Sequence, residues 1–400
     1  MSGRSSIAGM VMAGILSAGG AFAAEDYVQW QRDGYAIPRP LAGLKGDAAR
    51  GRALVIDRAK GNCLACHRLP IPGEEFQGTV GPPLHGVASR LSEGELRLRV
   101  VDEKQLNPAT IMPGYYRDPK TLNRVADDWW GRTILSAQEV EDVVAYLQTL
   151  HGQGVPQAVP APAVDLQGGP VSGSVFLSEA MRQMQEDDFA NPGMTTVEYG
   201  RSLFHKPGEE GTRCADCHGE EGAKIDRKAI ARFPRWSEEL ERPITLQEQI
   251  NICWEEKMDN FPYVYDCKEL VGLETYVRYL ARGETIDVET DGPVRPFYEA
   301  GEKLYRQRFG QLDMSCYHCH DQHRGAWLRG QLLNQGQSNG FPVYRLGSSR
   351  ITSLHRRFSE CLGSFRAEPF LPGSDEYINL ELYVTARGNG LKIETPAIRD

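Results

Sequence analysis

Three C-x-x-C-H runs are the stretches of this sequence whose residue types and spacing could do chemistry. The runs are Cys63-Leu64-Ala65-Cys66-His67, Cys214-Ala215-Asp216-Cys217-His218 and Cys316-Tyr317-His318-Cys319-His320. Two thiols at this spacing can form thioethers with the two vinyl groups of one haem, and the adjacent histidine can then ligate the iron. Six of the nine cysteines belong to the runs, and each run offers too few ligands for four-coordinate zinc. We therefore predict three covalently attached haem c groups, with zinc or a thioredoxin-like redox pair as the alternative.

The sixth ligand of each haem iron must come from farther along the chain. In the first unit the candidate is Met112, which follows Cys63 by 49 residues and precedes Pro113 in a polar loop. Such a methionine is a poor core residue, although filling a gap in a core is the alternative. We predict that Met112 ligates the iron opposite His67, and thioether ligation raises the reduction potential of a haem.

The second and third units carry a cysteine where the first unit carries its methionine. Cys253 follows the second haem run and Cys361 follows the third. Opposite His218 and His320, their thiolates would lower the reduction potential relative to methionine. The alternatives are free buried cysteines or, for Cys253, a disulfide with Cys267. The role of Cys267 stays open.

An arginine precedes the last of these cysteines at helical spacing. Arg357 lies four residues before Cys361, so both side chains would share one face of a helix. A guanidinium there would favour the thiolate and could hold an oxyanion with paired donors. A solvated basic face is the alternative. We predict that Arg357 and Cys361 form a catalytic site.

One helical plan, repeated three times, would position these residues. Each unit opens on a Gly-x-x-Leu helix whose glycine (Gly51, Gly200 or Gly301) precedes the first haem cysteine by 12, 14 or 15 residues. Each unit closes on a helix with a tyrosine, and a glycine opposite it would allow close packing. The expected helices are 48–60, 137–150, 196–206, 270–281, 294–308 and 375–387, with further helices that carry Cys253 and Cys361. This repeat predicts an all-α fold of three cytochrome c-like haem domains.

Composition divides the chain into five parts. The expected parts are a signal peptide at 1–24, haem domains at 25–152, 173–288 and 289–400, and a Pro/Gly-rich linker at 153–172. A basic start, an apolar run and an Ala-Phe-Ala cleavage site indicate export, with an uncleaved anchor as the alternative. No later stretch approaches the about 20 apolar residues of a membrane span. Covalent haem attachment then predicts the periplasm, and the net charge of −9 argues against a nucleic-acid partner.

Residues 173–400 resemble SoxA, the dihaem catalytic subunit of the SoxXA cytochrome of bacterial sulfur oxidation. The matching stretches are Ile250 to Cys253, Gly310 to Asp321, Phe358 to Cys361, Arg366 to Pro369, Leu380 to Tyr383 and Glu394 to Arg399. Residues 45–152 resemble SoxX, the monohaem partner. The matching stretches are the first haem run, Gly81 to Leu84, Asn107 to Thr110 and Met112-Pro113. The two subunits are usually separate chains, whereas here the linker joins them, and Cys267 is a second departure.

This resemblance implies an L-cysteine S-thiosulfotransferase. Such an enzyme joins thiosulfate oxidatively to a cysteine of the SoxYZ carrier protein and passes two electrons through its haems to a soluble cytochrome c. The resemblance implies that Cys361 ligates the active-site haem and can carry a persulfide, that Arg357 lines the pocket, and that Arg387 is a further cation near the entrance. A thiosulfate dehydrogenase that forms tetrathionate, and a trihaem electron carrier without chemistry of its own, remain alternatives.

Overall fold

The structure, a computed structural model, describes residues 27–399 apart from 153, 155–156, 159, 161–163 and 167. The predicted signal peptide at 1–24 therefore lies outside the described residues.

The first unit contains α1 (Ala48–Ile56), α2 (Glu93–Asp102) and α3 (Ala137–Leu147). A capping box opens α3, because Ser136 and Glu139 each accept a hydrogen bond from the other's backbone N–H. Helices α1 and α3 lie where the sequence predicts them and end a few residues earlier.

The second unit has the same helical plan with a small hairpin inserted after its haem run. Its elements are α4 (Glu179–Glu186), α5 (Met194–Phe204), α6 (Cys214–His218), α7 (Arg227–Ile230), β1 (Arg235–Ser237), β2 (Arg242–Ile244), α8 (Leu246–Glu256) and α9 (Lys268–Leu280). Strands β1 and β2 are antiparallel. Thr245 caps α8 by accepting from the Glu248 N–H at 3.2 Å. The Glu248 carboxylate binds Arg242, so this end of α8 is held by both the cap and the hairpin.

The third unit adds a three-stranded sheet to the plan. Its elements are α10 (Arg295–Arg306), a π-helical turn (His318–Gln322), β3 (Trp327–Leu328), β4 (Gln331–Leu332), β5 (Val343–Arg345), β6 (Arg350–Thr352), α11 (Leu354–Ser364), α12 (Asp375–Ala386) and β7 (Ala397–Arg399). Strand β5 pairs antiparallel with β6 and parallel with β7. Strand β7 therefore lies beside β5, on the side opposite β6, and β6 is the strand that leads into α11.

In each unit, the helix that carries the predicted glycine crosses the last helix of the unit at that glycine. A Cβ on Gly51 would lie 1.9 Å from the Asp142 carbonyl oxygen and 2.9 Å from the Tyr146 Cβ. The same contacts recur where Gly200 meets Tyr276 and where Gly301 meets Tyr383, each with a Cβ separation of 2.8 Å. Any side chain at these three positions would push the helices apart. The predicted small-against-large packing is confirmed in all three units.

The expectation of a strictly all-α fold is wrong. Helices dominate the described residues, but seven short strands are present. Each strand has two or three residues, which is too short to leave an alternating apolar pattern in the sequence. Among the described residues, no helix is long and apolar enough to cross a membrane.

The second and third units are packed into one another. One apolar core contains Ile244 of the second unit and Leu382 of the third, with Val288 and Val294 between them in the chain. The segment around α4 also lies against the chain end, because the Gln185 side-chain oxygen accepts from the Ile398 N–H at 3.0 Å. The two units therefore share buried surface on both sides of the predicted boundary at 288.

Leu166, Gly169 and Val171, which belong to the second half of the predicted linker, contact the third unit. The buried Gln335 side chain donates to the carbonyl oxygens of Leu166 and Gly169 at 3.0 and 2.9 Å. Its oxygen accepts from the Val171 N–H at 2.7 Å. One glutamine thus satisfies three backbone groups of a segment that has no regular structure.

Candidate haem centres and active site

The first C-x-x-C-H run lines a cavity of about 580 Å³. The His67 Nδ1 lies 2.7 Å from the Pro82 carbonyl oxygen, which it can meet as an N–H donor, and this tautomer leaves the Nε2 lone pair for a metal. A Cβ on Gly81 would lie 2.3 Å from the His67 ring, so glycine is required for this ring orientation. The wall of the cavity includes Cys63, Cys66, His67 and Met112.

The third run lines a second cavity, of about 330 Å³, with the same histidine arrangement. The His320 Nδ1 lies 2.9 Å from the Asn334 carbonyl oxygen. A Cβ on Gly336 would lie 2.7 Å from the His320 ring. The wall of this cavity includes Cys316, His320, Arg357 and Cys361. Four of the six site residues predicted for the third unit therefore line one cavity, and Cys319 and Arg387 are not among its lining residues.

Both cavities fit a covalently bound haem. Burial raises the pKa of the thiols to about 12 at Cys63, Cys66, Cys316 and Cys319. These positions therefore suit an uncharged sulfur such as a thioether. Burial also lowers the pKa of His67 and His320, which keeps each imidazole in the neutral form that ligates metals. The first cavity offers imidazole and thioether donors, and the second offers an imidazole and the sulfur of Cys361.

Adjacent arginines on α11 have different surroundings. Arg357 lines the cavity with Cys361, and its Nη1 lies 3.4 Å from the Glu360 carboxylate. Arg356 pairs with Asp266 of the second unit at 3.5 Å and is not among the residues that line the cavity. The sequence prediction for Arg357 therefore agrees with its position, since it faces the space beside Cys361.

Three other arginines lie near this centre. Arg345 and Arg399 also line the cavity, and they are cross-strand neighbours on β5 and β7. Sequence reasoning missed them because strands this short carry no pattern. Arg387 donates to the Tyr305 hydroxyl and, at 2.9 Å, to the Asp321 carboxylate. Arg387 is not among the residues that line the cavity, but Tyr305, to which it donates, is one of them, so the role of Arg387 as a cation near the entrance stays a prediction.

The second run is more exposed than the other two. Cys217 and His218 are both exposed. Burial, followed by the nearby Cys253 sulfur, raises the pKa of the Cys214 thiol to about 11, so Cys253 lies close to this run. The buried Met258 places its sulfur 3.9 Å from the Cys214 Sγ. Sequence reasoning missed Met258, and the centre therefore has two candidate sulfur ligands.

Cys267 caps a helix in this structure. Its Sγ accepts from the Leu270 N–H at 3.5 Å at the start of α9. Both Cys267 and Cys253 are free thiols, so the alternative of a disulfide between them is not formed here.

The first and third centres are neighbours. Gln322 and His323, which directly follow the third haem run, line the cavity of the first unit. Thr79 of the first unit and Trp327 of the third exchange two hydrogen bonds of 2.8 and 2.9 Å. The segments that surround the two cavities are therefore in contact, and the sequence alone does not reveal this contact.

Comparison with known proteins agrees with this arrangement. Residues 48–151 match the cytochrome c family and residues 199–286 match the SoxA/TsdA cytochrome c domain. The L-cysteine S-thiosulfotransferase subunit SoxA of Pseudaminobacter salicylatoxidans is 39% identical over 231 residues, which are 57% of this chain and 80% of that relative. The subunit SoxA of Rhodovulum sulfidophilum is 37% identical over the same shares of both chains.

A solved structure is also similar to this chain. The crystal structure of SoxXA from P. pantotrophus superposes with a TM-score of 0.55 at 35% identity, covering 57% of this chain and 86% of that chain. With haem-type cavities in the first and third units and cytochrome c matches to the first and second, the chain is a cytochrome c. From its identity of 39% and 37% to relatives of whose length it covers 80%, the chain belongs to the SoxA family of L-cysteine S-thiosulfotransferase subunits.

Proposed function

We propose that this protein joins thiosulfate to a cysteine of the SoxYZ carrier protein. One sulfur–sulfur bond forms between the carrier thiol and thiosulfate, the thiol loses one proton, and two electrons leave. The observation that supports this most directly is the single cavity that contains Cys361, Arg357 and His320. A sulfur nucleophile, a guanidinium for an oxyanion and a haem ligand are the groups that this reaction requires.

Each of these side chains has a defined role in the proposal. Arg357 holds the sulfonate oxygens of thiosulfate with its paired donors. Cys361 forms a sulfur–sulfur bond to the terminal sulfur of thiosulfate with loss of two electrons. The carrier thiolate then attacks that terminal sulfur and releases the Cys361 thiolate. A haem bound here supplies one-electron acceptance beside the reacting sulfur.

The number of haems and the direction of electron transfer in this proposal are inferred from the proposed ligands of each iron. Three haem c groups would be carried, the first between His67 and Met112, the second beside Cys253, and the third between His320 and Cys361. Electrons would pass from the third centre to the adjacent first centre, and from there to a soluble cytochrome c. The first unit would thus play the part of SoxX in the same chain, in the periplasm.

The test is thiosulfate-dependent reduction of the haems with and without the carrier. The proposed enzyme transfers electrons at its full rate with both thiosulfate and SoxYZ present, and the carrier gains the mass of thiosulfate. A thiosulfate dehydrogenase would form tetrathionate without the carrier. An electron carrier without chemistry of its own would show neither product.

A further inference from the structure

The loop that presents Met112 is held from outside its own unit. Inside the loop, backbone donors are satisfied locally: the Met112 N–H donates to the Thr110 hydroxyl at 3.1 Å, and the Thr110 N–H donates to the Asn107 carbonyl at 3.0 Å. The acceptors are satisfied differently. The carbonyl oxygens of three consecutive residues before Met112 accept hydrogen bonds from the third unit.

Arg308 is the main donor to these carbonyls. It follows α10 of the third unit, and its Nη2 lies 2.9 Å from the carbonyl oxygens of both Pro108 and Thr110. Its Nη1 donates to the Asp313 carbonyl oxygen at 2.8 Å, which fixes the guanidinium within the third unit. One charged side chain therefore ties a rigid turn of the third unit to two points of the methionine loop.

Two further contacts complete the support. Gln322, in the π-helical turn that follows the third haem run, donates to the Ala109 carbonyl oxygen at 3.1 Å. The Lys104 ammonium donates to the Met112 carbonyl oxygen at 2.9 Å and pairs with Asp313 at 3.6 Å. Four of the loop's carbonyl groups thus depend, directly or through Lys104, on the third unit.

Loop backbone that lacks regular structure is ordered by such hydrogen bonds, and charge-assisted ones are the stronger class. Because a thioether is a weak, neutral donor, its bond to iron is sensitive to small displacements of the loop that carries it. We propose that Arg308, assisted by Gln322, is a positioning residue that keeps Met112 on the iron of the first haem. This inference rests on the proposed Met112 ligation and makes the high-potential exit centre dependent on docking of the catalytic unit.

The experiment uses the purified full-length holoprotein and two readouts that do not require turnover. One is the weak red absorption band of methionine-ligated ferric haem, and the other is the reduction potential of the highest-potential haem. The variants are Arg308→Ala, Arg308→Lys and Met112→Ala. Arg366→Ala is the matched control, because Arg366 also belongs to the third unit and donates to a first-unit carbonyl, Ala59 at 2.7 Å, away from the methionine loop.

We expect Met112→Ala to abolish the band, and Arg308→Ala to weaken it and lower the potential. Loss of these hydrogen bonds should raise the fraction of detached methionine about tenfold. Arg308→Lys should restore part of the band, and Arg366→Ala should keep all of it. A normal band and potential in Arg308→Ala, or equal losses in Arg366→Ala, would overturn the positioning role. A wild-type protein without the band would overturn the Met112 ligation itself, whereas failure of carrier-dependent reduction would reject the proposed reaction and leave this result unaffected.

Discussion

Arg357→Ala tests whether the arginine beside Cys361 binds thiosulfate. A hydrogen bond to a charged group contributes about 1.5–3 kcal/mol. The Arg357 side chain is 33% exposed and shares its charge with Glu360 at 3.4 Å, so the lower end of that range applies. About 1.5 kcal/mol corresponds to about a tenfold higher thiosulfate concentration for half-maximal rate. Haem content should not change, because Arg357 is outside all three C-x-x-C-H runs.

The assay is cytochrome c reduction with thiosulfate and the carrier, normalised to haem. Arg356→Ala is the matched control, because its side chain pairs with Asp266 and lies outside the cavity. Arg357→Lys should recover only part of the loss, since lysine keeps the charge but not the paired donors. If Arg356→Ala raised the required thiosulfate concentration as much as Arg357→Ala, the effect would come from general positive charge and the proposed clamp would be refuted.

Three further predictions concern sulfur ligands and the linker. Cys361→Met should fold and keep the mass of three haems but lose thiosulfate transfer, because a thioether cannot form the sulfur–sulfur bond; near-normal turnover would reduce Cys361 to a plain ligand. Cys253→Ala should remove the low-spin thiolate signal of the second haem in electron paramagnetic resonance, whereas Met258→Ala should leave it; a second haem without a thiolate signal, whose low-spin signal is lost in Met258→Ala and kept in Cys253→Ala, would assign that iron to Met258. Cleavage at a protease site inserted between Gln157 and Ala158 should leave two fragments that co-purify and remain active, and separation with loss of activity would show that the tether is essential.

Much of the helical plan could be predicted because it is local. The Gly-x-x-Leu helices and the tyrosine-bearing helices follow from periodicity, and the structure brings Gly51 and Tyr146 together as expected. Cys361 and His320 could be placed at one site because Cys361 follows Cys316 by 45 residues, which is close to the 49 residues between Cys63 and Met112. Those inferences used only sequence patterns that lie within one unit or that repeat from unit to unit.

Features that depend on several units at once could not be predicted. Arg308 meets the methionine loop across a separation of 200 residues, and no sequence pattern encodes such a pairing. Met258 was missed because its distance to Cys214 depends on the turn after α8. The short strands that bring Arg345 and Arg399 into the cavity wall are stabilised by tertiary contacts more than by intrinsic propensity.

The attachment of the linker to Gln335 has a consequence for how the protein works at low concentration. Because Leu166, Gly169 and Val171 are hydrogen-bonded to Gln335 of the third unit, only the 13 residues from 153 to 165 separate this attachment from the first unit, which ends at 152. A tether this short gives an effective concentration in the millimolar range. The first and third units therefore stay in one-to-one stoichiometry at any dilution. The interface between them can also lose individual contacts without dissociation of the two units.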